Sequence, residues 1–309
     1  MLKRIARAEE RPWYTRIKFY KLRYKIWRVI SLKNRRRARR DRINYQRAMN
    51  ELAKFPKHAR APLHALPGEL VISLTSYAAR FPTLHLTLKS LLDQSVRPNR
   101  IVLWMAHDDV GRLPEEVRAL AGETLEIRET EDLRNFKKIL PSLKAFPDAF
   151  ILICDDDSYY PDDWLERTVA AYDPQEPTIV CNRAHKVAYT PSGEVAPYRS
   201  WKRNWAHPST ATARTDILPT GNGGVLYPPG SLPPETNDLE LIRQLSATSD
   251  DVWLYFMWRK AGWRAKRVPG PKREFLEWPD SQGQALWAFH RGGKKDEHIR
   301  DMARHFGNP

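Results

Sequence analysis

Five carboxylates crowd one short stretch, FILICDDDSYYPDDW (Phe150–Trp164), where an apolar run ends in Asp155, Asp156 and Asp157 and then meets Asp162 and Asp163. Like charges about 4 Å apart cost roughly 4 kcal/mol at an effective dielectric near 20, so a folded chain needs a reason to collect them. In an extended segment Asp155 and Asp157 project to one side and Asp156 to the other. Two converging carboxylates suit a hard divalent cation, Mn2+ or Mg2+, which also removes their repulsion and completes its shell with substrate phosphates. The plainer reading is that the acids form a turn or cap the next helix. That reading fits Asp162 and Asp163, since acids favour a helix start.

A second pair, Asp250 and Asp251, opens an aromatic-rich helical pattern that closes at Gly262 in TSDDVWLYFMWRKAGW. One acid serves as a cap and leaves the other free to face a cleft. Upstream, LPTGNGGVLYPPGSL holds Gly221, Gly223 and Gly224, where backbone can approach a ligand closely, although a structural turn needs no ligand. Trp201, Trp205 and His207 have the spacing either of a stacking platform for a sugar or of core aromatics.

These residues need a frame. LVISLTSY (70–77), RIVLWMA (100–106), LEIRET (125–130) and FILIC (150–154) read as buried strands. Between them come helical patterns at 84–95 and 113–120, a short one in FKKILPSLKAF interrupted by Pro141, and a further one after Pro161. The alternation predicts an α/β fold with a mostly parallel, Rossmann-like sheet flanked by helices. Ligands bind such sheets at the carboxyl ends of the strands, where Asp155 begins.

The net charge of +15 is unevenly placed. Residues 1–60 hold 21 Lys and Arg against 4 Asp and Glu, which leaves the other 249 residues at −2. We therefore divide the chain into a basic N-terminal extension (1–60), a Pro-containing linker (61–68) and a catalytic domain (69–309). In the extension Trp13, Ile17, Tyr20, Tyr24 and Trp27 form one helical stripe, followed by the cationic block Lys33–Arg42. Such a segment suits a solvated arm, a docking helix for a partner, or an anionic membrane surface. Nucleic acid is the weaker match, because the body has no accompanying basic face. No apolar run reaches the length of about 20 residues that spans a bilayer. Cys154 and Cys181 read as reduced core thiols, which suits a cytoplasmic protein, free or peripheral on the inner membrane.

Taken in order, VISLTSYAARF, QSVRPNRIVLW, FKKILPSL, the Asp triplet, GNGGVLY, SDDVW and QALWAFHRGGKKDEHI resemble the GT-A nucleotide-sugar glycosyltransferases, above all family-2-like bacterial enzymes of capsule and lipopolysaccharide synthesis. The resemblance covers roughly residues 69–305. It implies transfer of a sugar, with inversion, from a nucleoside-diphosphate donor to a glycan or lipid-linked glycan acceptor. By that resemblance Thr75, Ser76, Tyr77, Arg80, Asp132, Lys137, Lys138, Asp155, Asp156, Gly223 and Gly224 bind the nucleotide-sugar. Asp155 and Asp157, with His290 as a third candidate, would hold the Mn2+ or Mg2+. Asp251 would be the general base and Asp250 its orienting neighbour, although the family's pair begins with Glu where this chain has Asp. A metal-dependent phosphohydrolase or nucleotidyltransferase is the alternative enzyme, since it also uses paired Asp residues. The non-enzymatic alternative is membrane or nucleic-acid binding through the basic extension.

Overall fold

The computed structural model describes residues 35–36, 38–279 and 293–309. The stripe Trp13–Trp27, His290 and most of the segment 284–299 lie outside them. The chain divides into two compact units, residues 1–50 and 51–309. In the first, residues 38–50 are helical. Among the described residues no helix is long and apolar enough to cross a membrane.

The second unit is a mixed α/β fold. Its strands, in chain order, are β1 (Leu70–Thr75), β2 (Arg100–Ala106), β3 (Leu125–Thr130), β4 (Phe150–Ile153), β5 (Ser158–Tyr159), β6 (Ile179–Cys181), β7 (Ala184–Lys186), β8 (Ile217–Pro219), β9 (Val225–Tyr227), β10 (Ala265–Arg267) and β11 (Leu276–Glu277). Seven of them form one sheet in the order β10-β6-β9-β4-β1-β2-β3. All pairings in that sheet are parallel except those of β9, which runs antiparallel to both β4 and β6. The helices that matter below are α1 (Phe81–Leu92), α2 (Leu140–Ala145), α3 (Trp164–Ala170), α4 (Asp250–Lys260) and α5 (Lys294–Phe306).

Strand alternation builds the two cores. Leu70, Ile72 and Leu74 of β1 join Phe150 and Leu152 of β4 on one face, together with Leu84, Leu88 and Leu91 of α1. Val71, Ile151 and Ile153 point the other way, into the cluster with Trp253, Phe256 and Met257 of α4. Each of these side chains is at most a few per cent exposed. Burying one such aliphatic or aromatic side chain contributes roughly 1.5–3 kcal/mol. With apolar side chains on both faces, β1 and β4 read as continuous apolar runs and not as alternating ones.

Several local expectations change. Pro141 does not interrupt a helix. It sits in the first turn of α2, after a 3-10 turn over Arg134–Lys138, where its missing N–H costs nothing. Asp162 and Asp163 do not cap α3 with their side chains. Asp163 instead takes both arms of Arg273, and Asp162 pairs with Lys57 and His58. Pro62 and His64 run beside Arg97 and Asn99, with Arg97 N–H donating to Pro62 O at 2.8 Å and His64 N–H to Arg97 O at 3.1 Å. Both cysteines are free and buried, and burial raises their thiols, that of Cys181 to about 12.

Candidate active site

The sheet order places the acids where the strand order reverses. β1 pairs with β2 on one side and with β4 on the other, so the chain reverses its direction of progress there, and the carboxyl ends of β1 and β4 border the switch point. From β1 come Ser76 and Arg80, and from β4 come Asp155, Asp156 and Asp157. Because β9 is antiparallel, its start, Val225, pairs with Ile153 and Cys181. The glycine loop 221–224 therefore reaches the same edge. α4 brings Asp250 and Asp251 to it.

After β4 the backbone is not extended: it turns at Asp156 and Asp157. The strict alternation expected from the sequence fails for that reason. Asp155 stands apart, with Oδ1 2.9 Å from the Lys138 ammonium. Asp156 accepts the Ser76 hydroxyl, and Asp157 Oδ2 lies 2.7 Å from Arg80 Nη1. Burial opposes the charge on Arg80, but Asp157 and Asp156 outweigh it and raise the guanidinium further. Asp156 shows the cost of crowding. Burial first, and then Asp157, push its carboxyl up to about 7, against the Ser76 bond and Arg80.

Lys138 also stands 3.0 Å from Asp250 Oδ2, so one buried ammonium joins the acids of β4 to those of α4. Burial works against that charge, while Asp155, Asp250 and Asp251 hold it well above the ordinary lysine value. Asp250 additionally accepts the Asn135 side-chain amide and is 7% exposed. Asp251 differs. It is half-buried, and its Oδ1 accepts the Gly221 N–H at 3.0 Å. Burial and then Asp250 push it to about 6, with Lys295 and Lys138 pulling the other way.

The glycines earn their place by packing. A Cβ at Gly221 would lie 2.7 Å from Lys138 Nζ, at Gly223 2.6 Å from the Phe275 ring, and at Gly224 2.7 Å from the Trp164 ring. Gly223 and Gly224 also hold φ of +92 and +94, which other residues rarely adopt. The close approaches are thus to protein side chains. Thr75 Oγ1 donates to Trp104 O, and the Tyr77 ring lies under Arg80 at 5.8 Å. Lys137, buried, bonds the exposed Asp132 at 2.8 Å. Trp201 is core, donating its indole N–H to Ala196 O. Trp205 stacks on His207 at 5.6 Å.

Two residues enter that the sequence did not mark. Glu277 is delivered by β11, which pairs antiparallel with β5. Burial, then Asp157 and Asp155, raise its carboxyl, with Arg183 and Arg80 opposing. Asn135 holds Asp250. Neither stands in a recognisable spacing, since each comes from a distant segment.

For a divalent metal the donors fit poorly as arranged. Among the described residues no three His, Cys, Asp or Glu side chains form a ligating group. The repulsion that a metal was expected to remove is already met by Lys138 at Asp155 and by Arg80 at Asp157.

No protein-family model and no curated protein matches the chain. Solved structures similar to it include two enzymes. One is the 4-diphosphocytidyl-2C-methyl-D-erythritol synthase of Anaerococcus prevotii, at 16% identity, with 69% of this chain and 93% of that one covered and a TM-score of 0.43. The other is the inositol-1-phosphate CTP transferase of T. maritima, at 13% identity, with coverage of 78% and 98% and a TM-score of 0.39. Neither carries the name of a glycosyltransferase.

Proposed function

We propose that this chain is a nucleotide-dependent transferase, and specifically a glycosyltransferase that moves a sugar from a nucleoside-diphosphate donor to an acceptor hydroxyl. The observation that best supports this is the unequal treatment of the acidic pair. Asp250 is tied to Asn135 and Lys138, whereas Asp251 is half-buried with its carboxyl near neutrality. A general base works best with a pKa close to the working pH. A hydroxyl nucleophile needs such a base, and an already anionic phosphate nucleophile does not.

In this reading Ser76, Tyr77 and Arg80 at the end of β1 hold the nucleotide, and Asp155 takes a ribose hydroxyl. Asp251 accepts the acceptor's hydroxyl proton as that oxygen bonds to the anomeric carbon. The bond from that carbon to the phosphate oxygen breaks from the opposite face, giving inversion. Lys138 would meet the charge that grows on the departing diphosphate. None of these steps is assigned to a metal. The Mn2+ or Mg2+ implied by the resemblance would take Asp155 and Asp157 only if Lys138 and Arg80 released them. A glycan or lipid-linked acceptor in capsule or lipopolysaccharide synthesis, and an anionic membrane surface met by residues 1–60, belong to the same proposal.

Nucleotidyl transfer is the second reading, and it fits the printed name of the CTP transferase above. Product analysis separates the two. Sugar transfer releases a nucleoside diphosphate from a nucleotide-sugar, whereas nucleotidyl transfer releases pyrophosphate from a nucleoside triphosphate. We expect the former. Pyrophosphate release from CTP without turnover of any nucleotide-sugar would replace the first reading by the second. A thermal-shift screen of UDP, GDP, CMP and dTDP, with and without Mn2+, tests both. Ligand about a hundredfold above its Kd adds roughly 2.7 kcal/mol, and no response to any nucleotide would overturn both.

A further inference from the structure

Beside Asp251 lies a group of cations that the steps above leave unused. Arg183 follows β6 and donates from Nη1 to Thr220 Oγ1 at 3.0 Å, one residue before the Gly221 N–H that holds Asp251. Lys295, in the first turn of α5, and Arg203 share the Tyr198 ring, at 4.7 Å and 5.4 Å from its centroid. The Tyr198 N–H in turn bonds Asp296 at 2.6 Å, which ties α5 to this loop. Lys186 and Arg214 nearby are both paired with Asp216. Arg183, Arg203 and Lys295 have no carboxylate within 4 Å among the described residues. The loop that presents Arg203 is built to stay put. Asn204 adopts a φ of +45, and its N–H donates to Nδ1 of the buried His185 at 3.1 Å. Burial, and then Arg183 and Lys295, lower the His185 ring to about 3, so it remains neutral and able to accept.

From this arrangement we infer that Arg183, Arg203 and Lys295 form a subsite for a phosphate group on the acceptor. The inference rests on Asp251 being the base, since that places these cations on the acceptor's side of the crevice. Arg80 and Lys138, by contrast, are each already joined to a carboxylate. Phosphate is favoured over a single carboxylate by charge and shape. Three cations, two of them planar guanidinium forks, match a dianion with three acceptor oxygens.

The test uses the full-length chain with its donor site filled by whichever nucleotide proves to stabilise it. Three probes of one scaffold are titrated by saturation-transfer NMR: methyl glucoside 6-phosphate, methyl glucuronide and methyl glucoside. The phosphate probe should bind about tenfold or more tighter than the neutral one. The Arg203→Ala/Lys295→Ala double variant should erase that preference while keeping the nucleotide-induced shift in Tm. Arg203→Lys should retain part of it. Equal binding of all three probes, a glucuronide bound as tightly as the phosphate, or a preference that survives the double variant would each overturn the subsite. Should the double variant not fold, loss of the wild-type preference between 0.05 and 0.5 M salt decides the matter, since contacts to free surface cations are screened. A nucleotide response without phosphate preference sinks the subsite alone. Absence of any nucleotide response sinks the transferase reading beneath it.

Discussion

Lys138 and Asp155 meet at 2.9 Å, one from the turn before α2 and the other from the end of β4, and the same ammonium reaches Asp250 at 3.0 Å. Two acidic clusters nearly a hundred residues apart in the chain are thus held by one buried positive charge.

Removing that charge should be costly. Breaking a buried ion pair at one partner typically destabilises by about 3 kcal/mol or more, because the other charge is left uncompensated. We expect Lys138→Met, which keeps the length of the side chain, to lose about 3 kcal/mol in urea unfolding. A loss under about 1 kcal/mol would mean that solvent, not Lys138, compensates Asp155 and Asp250.

The acidic pair should divide its roles under mutation. Asp251→Asn should lower kcat about 10²–10⁴-fold and leave the nucleotide-induced Tm shift intact. The wild-type rate should fall as pH drops through about 6, where Asp251 takes up a proton and ceases to be a base. Asp250→Asn should act mainly on stability, through Asn135 and Lys138. Equal kinetic losses with no loss of stability in Asp250→Asn would contradict this division.

Asp156 makes a signed prediction about pH. Its folded value, about 7, lies above the ordinary carboxylate value of about 3.9. Between those two values the folded state binds a proton that the unfolded chain has lost. Stability from this group therefore declines as pH rises from about 4 to about 7, by at most about 1.4 kcal/mol per pH unit. Asp156→Asn should remove that decline, gaining on wild type between about pH 4 and about pH 7 in matched urea titrations. A parallel pair of stability curves would show that Asp156 is ionised throughout.

Gly224 and Gly230 provide a matched comparison. Both have positive φ, but a Cβ at Gly224 meets Trp164 at 2.7 Å, while nothing lies within 4 Å of one at Gly230. Gly230→Ala should cost about 1 kcal/mol from backbone strain alone. Gly224→Ala adds an overpacking term of about 1–3 kcal/mol. Equal losses in thermal unfolding would show that Trp164 moves aside freely.

Much of the fold could be read from residue order. β2 and β3 fall where Arg100–Ala106 and Leu125–Thr130 were expected, because β-branched runs bounded by polar residues have few other uses. That the Asp triplet follows a buried strand at the carboxyl edge of the sheet was also legible in that pattern. The partners of those acids did not. A side chain's charge partner is set by tertiary placement, and Lys138, Arg80 and Glu277 each reach the triplet from a separate segment. The turn at Asp156 was hidden because nothing in three identical residues marks where an extended run bends. Asp162 and Asp163 looked like caps because they precede α3. Lys57 and Arg273, distant in sequence, claimed their carboxylates first.

The short β5–β11 pairing carries a consequence for how the protein is made. It brings Glu277 to the acids, and beside it Trp278 donates its indole N–H to Thr87, 191 residues earlier. While the chain is still emerging from the ribosome, Asp155, Asp156 and Asp157 are synthesised long before this lid of sequence exists. The site therefore gains Glu277 only after the 276 residues before it have been translated. This carboxylate arrives after every strand of the seven-stranded sheet that supports the acids.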